Sequence, residues 1–171
     1  MLEPPKKDLE FGIIELKTGQ GVTYETGDRE VAFILLAGTA DFTGGDFSFQ
    51  RVGKRRSVFE GKAEAVYVPR HRTVRITGLF HVKIAVCATP VTEDSAPQYI
   101  TENEVRMVRL GVKPWERDTT FIIDGKTNAK KLTIGEAYVT PGNWAGFPPH
   151  KHDVDKRTKN LRSRLPQGSP R

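Results

Sequence analysis

Short runs rich in β-branched and aromatic residues follow one another along this chain, each stopped by glycine or proline. No stretch longer than a turn or two repeats apolar residues at the helical spacing. Residues 11–17, 22–26, 31–36, 47–51, 65–68, 73–77 and 79–88 read as strands, because short alternating or continuous apolar runs fit a pleated, half-buried or buried surface. The continuous run 31–36, Val-Ala-Phe-Ile-Leu-Leu, predicts a strand buried on both faces. Gly19-Gln-Gly21, Gly27-Asp28 and Gly44-Gly-Asp46 supply turns, and Pro69 ends a run. Many short strands at this spacing predict a sandwich or barrel. Beyond Pro97, residues 104–110, 119–124 and 132–139 read as further strands around a polar loop.

The chain has 171 residues, 37% hydrophobic and 28% charged, which suits a soluble globular protein of one domain, or of one domain and part of another. The formal net charge is +6, and residues 153–171 hold six Lys/Arg against Asp153 and Asp155. The basic character is therefore mostly a property of this tail, which has no aromatic residues to stack on bases, and a nucleic-acid partner is not expected. The tail 156–171 lacks periodicity and is expected to be disordered. No apolar run is long enough to span a bilayer, and the first ten residues lack the apolar core of a signal peptide. The single cysteine, Cys87, lies in an apolar strand and reads as a buried, inert thiol, in keeping with a reducing cytoplasm.

The segment Pro141-Gly-Asn-Trp-Ala-Gly-Phe-Pro-Pro-His-Lys-His-Asp153 carries a His-x-His pair, His150 and His152. Residues i and i+2 of a strand share a face, so if this stretch is extended, a conformation that Pro148 and Pro149 favour, both imidazoles converge on one point. Spacing alone leaves two readings open, a metal-ligand pair or two surface histidines beside a turn.

Four phrases, Arg51-Val-Gly-Lys-Arg-Arg-Ser-Val-Phe-Glu-Gly61, Ala65-Val-Tyr-Val-Pro69, Gly135-Glu-Ala-Tyr-Val-Thr-Pro-Gly-Asn-Trp144 and Pro148-Pro-His-Lys-His-Asp153, occur in this order. Together they resemble the 5-deoxy-glucuronate isomerase family of inositol catabolism, related to the 4-deoxy-L-threo-5-hexosulose-uronate ketol-isomerases. The resemblance covers residues 10 to 155. It implies an all-β bicupin of jelly-roll barrels, in which the second barrel holds a divalent metal, zinc or manganese, through three His and one Glu. It implies a small sugar-acid substrate and aldose–ketose isomerisation. A cytoplasmic location is expected from the lone cysteine, and a homo-oligomer is left open as a partner, the oligomeric state not being set by the sequence. In this chain it assigns His150 and His152 as metal ligands and leaves the catalytic residues unknown.

The resemblance further implies a metal-free first cupin over residues 1–125 and the start of the second, metal-site cupin over 126–155, with the chain truncated inside it. Lys156 or Arg157 stands where a ligand Glu belongs, and no His follows His152. The expectation is an incomplete site that binds metal weakly or not at all; the alternative is a non-catalytic cupin remnant. In the first cupin the ligand positions fall on Gly27, Arg29 and Val74, while His71 and His81 read as hydrogen-bonded structural residues. Lys54-Arg55-Arg56 reads as a solvated turn, with a sugar-carboxylate site as the alternative. Trp115 and Trp144 read as packing residues, with a place in a sugar pocket as the alternative for Trp144.

Overall fold

The computed structural model describes residues 9–146, and every regular element in that range is a β-strand. In chain order these are β1 (Glu10–Leu16), β2 (Gly21–Glu25), β3 (Arg29–Ala37), β4 (Ala40–Gly44), β5 (Ser48–Val52), β6 (Ala65–Val68), β7 (Thr73–Gly78), β8 (Val82–Pro90), β9 (Gln98–Ile100), β10 (Arg106–Leu110), β11 (Arg117–Ile123) and β12 (Ile134–Val139). His150, His152 and the basic tail lie outside the described residues.

Two antiparallel sheets, β1-β8-β3-β6-β9 and β2-β7-β4-β5, close over one apolar interior. Phe33, Leu35, Phe42, Val66, Val68, Val74, Ile76 and Ile84 fill it. Tyr24 meets Phe33 edge-on with ring centroids 5.4 Å apart, a preferred aromatic geometry. As a fully buried side chain of this size contributes about 1.5–3 kcal/mol, this interior is the barrel's main source of stability. β3 is buried on both faces, as its unbroken apolar run predicts. Its second face and those of β6 and β8 form another cluster, Ala32, Ile34, Ala65, Tyr67 and Ala85, packed against Ile122, Ile123 and Leu132.

The covering layer is the three-stranded sheet β10-β11-β12. Sheet membership changes between Ile100 and Arg106, because β10 pairs with β11 and β11 with β12. β4 and β9 are absent from the sequence reading. Ala40–Gly44 is split by Thr43 and followed by glycine, and Gln98–Ile100 is too short for a period to register.

Candidate functional site

The segment bearing His150 and His152 follows β12 in the sequence, so β12 is the last described strand before it. Glu30 is completely buried on β3. Its Oε1 accepts the backbone N–H groups of Lys131 and Leu132, both from 2.7 Å. Its Oε2 accepts the Lys130 N–H at 2.8 Å and the Tyr67 hydroxyl at 3.0 Å. Four donors thus satisfy a carboxylate that would otherwise be costly to bury, and the chain is pinned just ahead of β12.

A second clamp grips the strand's middle. The Arg55 guanidinium donates to both oxygens of Glu136, from 2.9 and 2.5 Å, and through Nε to the Leu35 carbonyl at 3.0 Å. Burial disfavours the Arg55 charge, but the hydrogen bonds and charge of Glu136 outweigh it and hold the guanidinium's pKa above its ordinary value. The Tyr138 hydroxyl adds contacts to Glu136 Oε2 at 2.7 Å and the Val58 carbonyl at 3.0 Å. This corrects the reading of Lys54-Arg55-Arg56 as a solvated turn. Arg56 is exposed and pairs with Glu60, whereas Arg55 is 6% exposed and meets a carboxylate of its own chain. Only the period-2 placement of Glu136 and Tyr138 on one face of β12 hinted at this, and Glu30 was hidden beside an apolar run.

Past β12 the chain turns at Thr140–Asn143 and is tied to the β10–β11 loop. Trp144 N–H donates to the Pro114 carbonyl at 2.7 Å, and Asn143 Nδ2 to the Glu116 carbonyl at 3.3 Å. Trp144 is 63% exposed, so the expectation that it packs in a core is not met within the described residues. Trp115 is half-buried in the loop beneath.

Register places Val108, Thr119 and Ala137 side by side on the face of the three-stranded sheet turned away from the barrel. Phe121 lies on the same face under the Arg106 guanidinium, 4.4 Å from the ring centroid. The Thr119 Oγ1 is buried and has no hydrogen-bond partner among the described residues. This is an apolar wall with polar points and no partner layer among those residues.

In the first barrel the ligand positions hold no donor set. Gly27 makes a turn at φ 56°, Arg29 pairs with Glu10 at 2.5 Å, and Val74 is buried in the apolar interior. His71 stands 3.5 Å from Asp28, and His81 3.1 Å from Glu15. His81 sits in the turn ahead of β8 rather than within an apolar strand. Among the described residues no three His, Cys, Asp or Glu side chains cluster as a metal would require. Buried Glu64 instead serves the loop: its Oε2 accepts the Gly53 N–H at 2.6 Å and the Tyr99 hydroxyl at 2.7 Å. The Lys54 ammonium stands 3.3 Å from Glu64 Oε1, close enough for an ion pair but leaving that oxygen without an aligned hydrogen bond. Cys87 is half-buried, and burial pushes its thiol pKa up, away from a reactive thiolate.

The KduI/IolB family model matches residues 5–164, nearly the whole chain and the histidine segment with it. The chain belongs to the KduI/IolB family. A 5-deoxy-glucuronate isomerase from Bacillus subtilis strain 168 is 30% identical over 149 residues, and one from Bacillus velezensis is 32% identical over 152. The matches cover 86% and 87% of this chain but 55% and 56% of those proteins, so the chain spans about half the length of the curated relatives it matches. The crystal structure of an IolB-like protein from Salmonella typhimurium LT2 superposes with a TM-score of 0.82 at 30% identity, covering 88% of this chain and 58% of that one. The barrel is the cupin jelly roll expected of a KduI/IolB member. No helix among the described residues is long and apolar enough to cross a membrane.

Proposed function

We propose that this chain is part of a 5-deoxy-glucuronate isomerase, which converts 5-deoxy-D-glucuronate to 5-dehydro-2-deoxy-D-gluconate in the cytoplasm during inositol catabolism. One observation carries the reading: the KduI/IolB family match spans residues 5–164, a range that takes in the barrel, β12 and the His150–His152 segment, and the curated relatives are 5-deoxy-glucuronate isomerases. The conversion moves hydrogen between neighbouring carbons and needs no co-substrate. His150 and His152 are two ligands of a divalent ion, zinc or manganese, which when bound would polarise the substrate carbonyl and its neighbouring hydroxyl. The first barrel is a metal-free scaffold. Its part is to fix β12, through Glu30 and Arg55, at the entrance to the metal segment. The face carrying Val108, Thr119, Phe121 and Ala137 is the first wall of the second cupin, and the sugar acid lies against it.

Within the 171 residues the only other histidines are His71 and His81, both on the first barrel. The stretch by itself therefore holds metal weakly, since catalytic zinc sites use three protein ligands. The reading is tested by fusing residues 1–155 to the C-terminal remainder of the Bacillus subtilis relative and supplying 5-deoxy-D-glucuronate with Zn²⁺ or Mn²⁺. Isomerisation that is lost on chelation and in His150→Ala supports it. A folded, metal-loaded fusion that leaves this substrate unchanged refutes it.

A further inference from the structure

Leu9, Phe11 and Ile13 follow one another at every second residue along the barrel's rim and are 61%, 69% and 46% exposed. Phe11 and Ile13 project from the outward face of β1, which is a free edge: among the described residues it pairs with β8 alone. Large apolar side chains alternating on a bare edge invite association, and folded proteins usually cover such edges or break them with charge. The strip is continuous with an existing interface. The cross-strand partners of Phe11 and Ile13 are Cys87 and Ala85, and both belong to the surface packed under the second layer.

The second layer is open toward this strip. Phe121 and Ile122 of β11 share a pocket of about 260 Å³ with Gln98 and Ile100 of β9. β12 tracks β3, with Leu132 held at Glu30 and Glu136 held, through Arg55, beside the Leu35 carbonyl. Since the barrel sheet runs β1-β8-β3-β6-β9, the free edge of β12 faces β8 and β1. A strand added to that edge would lie over β8, and the next over β1.

Two of the edge strands, β1 and β12, also share a pattern. Gly12-x-Ile14-x-Leu16 in β1 matches Gly135-x-Ala137-x-Val139 in β12, and each is followed at the same offset by a positive-φ glycine, Gly19 at 77° and Gly142 at 85°. In β12 the alternate residues Glu136 and Tyr138 are covered by the barrel loop carrying Arg55 and Val58. Their counterparts in β1, Ile13 and Glu15, are uncovered.

The geometry points to the Leu9–Phe11–Ile13 strip as the docking seat for the remaining strands of the second barrel. Their sequence corresponds to the part of the curated relatives that the match does not reach. This rests on the reading of β10–β12 as the start of that barrel.

The probe is the segment of the Bacillus subtilis relative beyond the match, either mixed with the 171-residue chain or co-expressed with it. The expected result is a complex of one chain with one probe, in which amides of residues 9–16 exchange roughly tenfold more slowly than in the free chain. The double variant Phe11→Ser, Ile13→Ser should bind the probe roughly tenfold more weakly. Both side chains are exposed in the free chain, so its Tm should stay within about 3 °C of the parent's. Failure to form a complex by either route overturns the proposal, as does a complex that protects β12 and leaves β1 exchange unchanged. A dimer of the chain alone that the double variant dissolves also overturns it, by assigning the strip to a second copy. None of these outcomes reads metal or turnover, so the docking seat and the isomerase reading fail separately.

Discussion

Glu30 Oε1 accepts the backbone N–H of Leu132 from 2.7 Å, across 102 residues of sequence. It joins the centre of the first barrel to the start of β12, through a carboxylate that is fully satisfied and out of contact with water.

Glu30→Ala should leave three backbone N–H groups and the Tyr67 hydroxyl without their acceptor. The expected loss is about 3–5 kcal/mol, as for removing one partner of a buried charged network. Glu30→Gln should cost less, about 1–3 kcal/mol, because its amide can still accept on one side but sets a donor against donors on the other. Denaturant unfolding gives both values. Hydrogen exchange at residues 130–134 should rise more than exchange in the barrel interior; a uniform rise would contradict a local pin.

Arg55→Lys should lower stability by about 1–3 kcal/mol, because an ammonium cannot reproduce the two-pronged contact with Glu136. Arg55→Met should cost more, since it strands the Glu136 carboxylate, and adding Glu136→Leu should recover part of the loss. A double variant no more stable than Arg55→Met would show that the pair is not coupled. Thermal unfolding resolves these differences at about 2–4 °C per kcal/mol.

These two clamps mark the limit of what the residues disclose. The barrel is legible because burial writes period-2 patterns and unbroken apolar runs into β3, β6, β7 and β8. The histidine pair stands out in the sequence because its spacing and flanking prolines are local, but it lies outside the described residues. Glu30 and Arg55 are not legible, because a polar residue beside an apolar strand looks the same whether it meets water or a partner a hundred positions away. Trp144 misleads for a related reason: aromatic character signals burial only when a second layer is present to bury it.

Burial, followed by the Glu30 carboxylate, raises the Tyr67 phenol above its ordinary pKa, and burial followed by Glu64 does the same for Tyr99. A folded-state value above the unfolded one gives stability that is full below the unfolded pKa, near 10, and lost as pH rises through the folded value. Stability should therefore fall steadily above about pH 10. Absorbance titration of phenolate should show one fewer late-ionising tyrosine in Tyr67→Phe. If the native protein's tyrosines all ionise near pH 10, this assignment fails.

Gly135 pairs with Phe121 where β11 and β12 run close together, and a Cβ there would lie 2.2 Å from the Thr120 carbonyl oxygen. Gly135→Ala should push β12 away from β11 and cost about 1–3 kcal/mol, the usual range for overpacking. By contrast Gly12→Ala, at the matching position of β1, meets nothing within 4 Å and should be nearly neutral. Equal effects at the two sites would contradict the close approach.

The central claim is that the first barrel is a scaffold and that chemistry requires the second. The most direct measurement is turnover of 5-deoxy-D-glucuronate by the purified 171-residue chain with added Zn²⁺ or Mn²⁺, beside the Bacillus subtilis relative under the same conditions. The expected result is a kcat/KM lower by at least about 100-fold, no smaller than the loss typical of removing a single transition-state contact. Turnover close to that of the relative, abolished by His150→Ala, would contradict the claim.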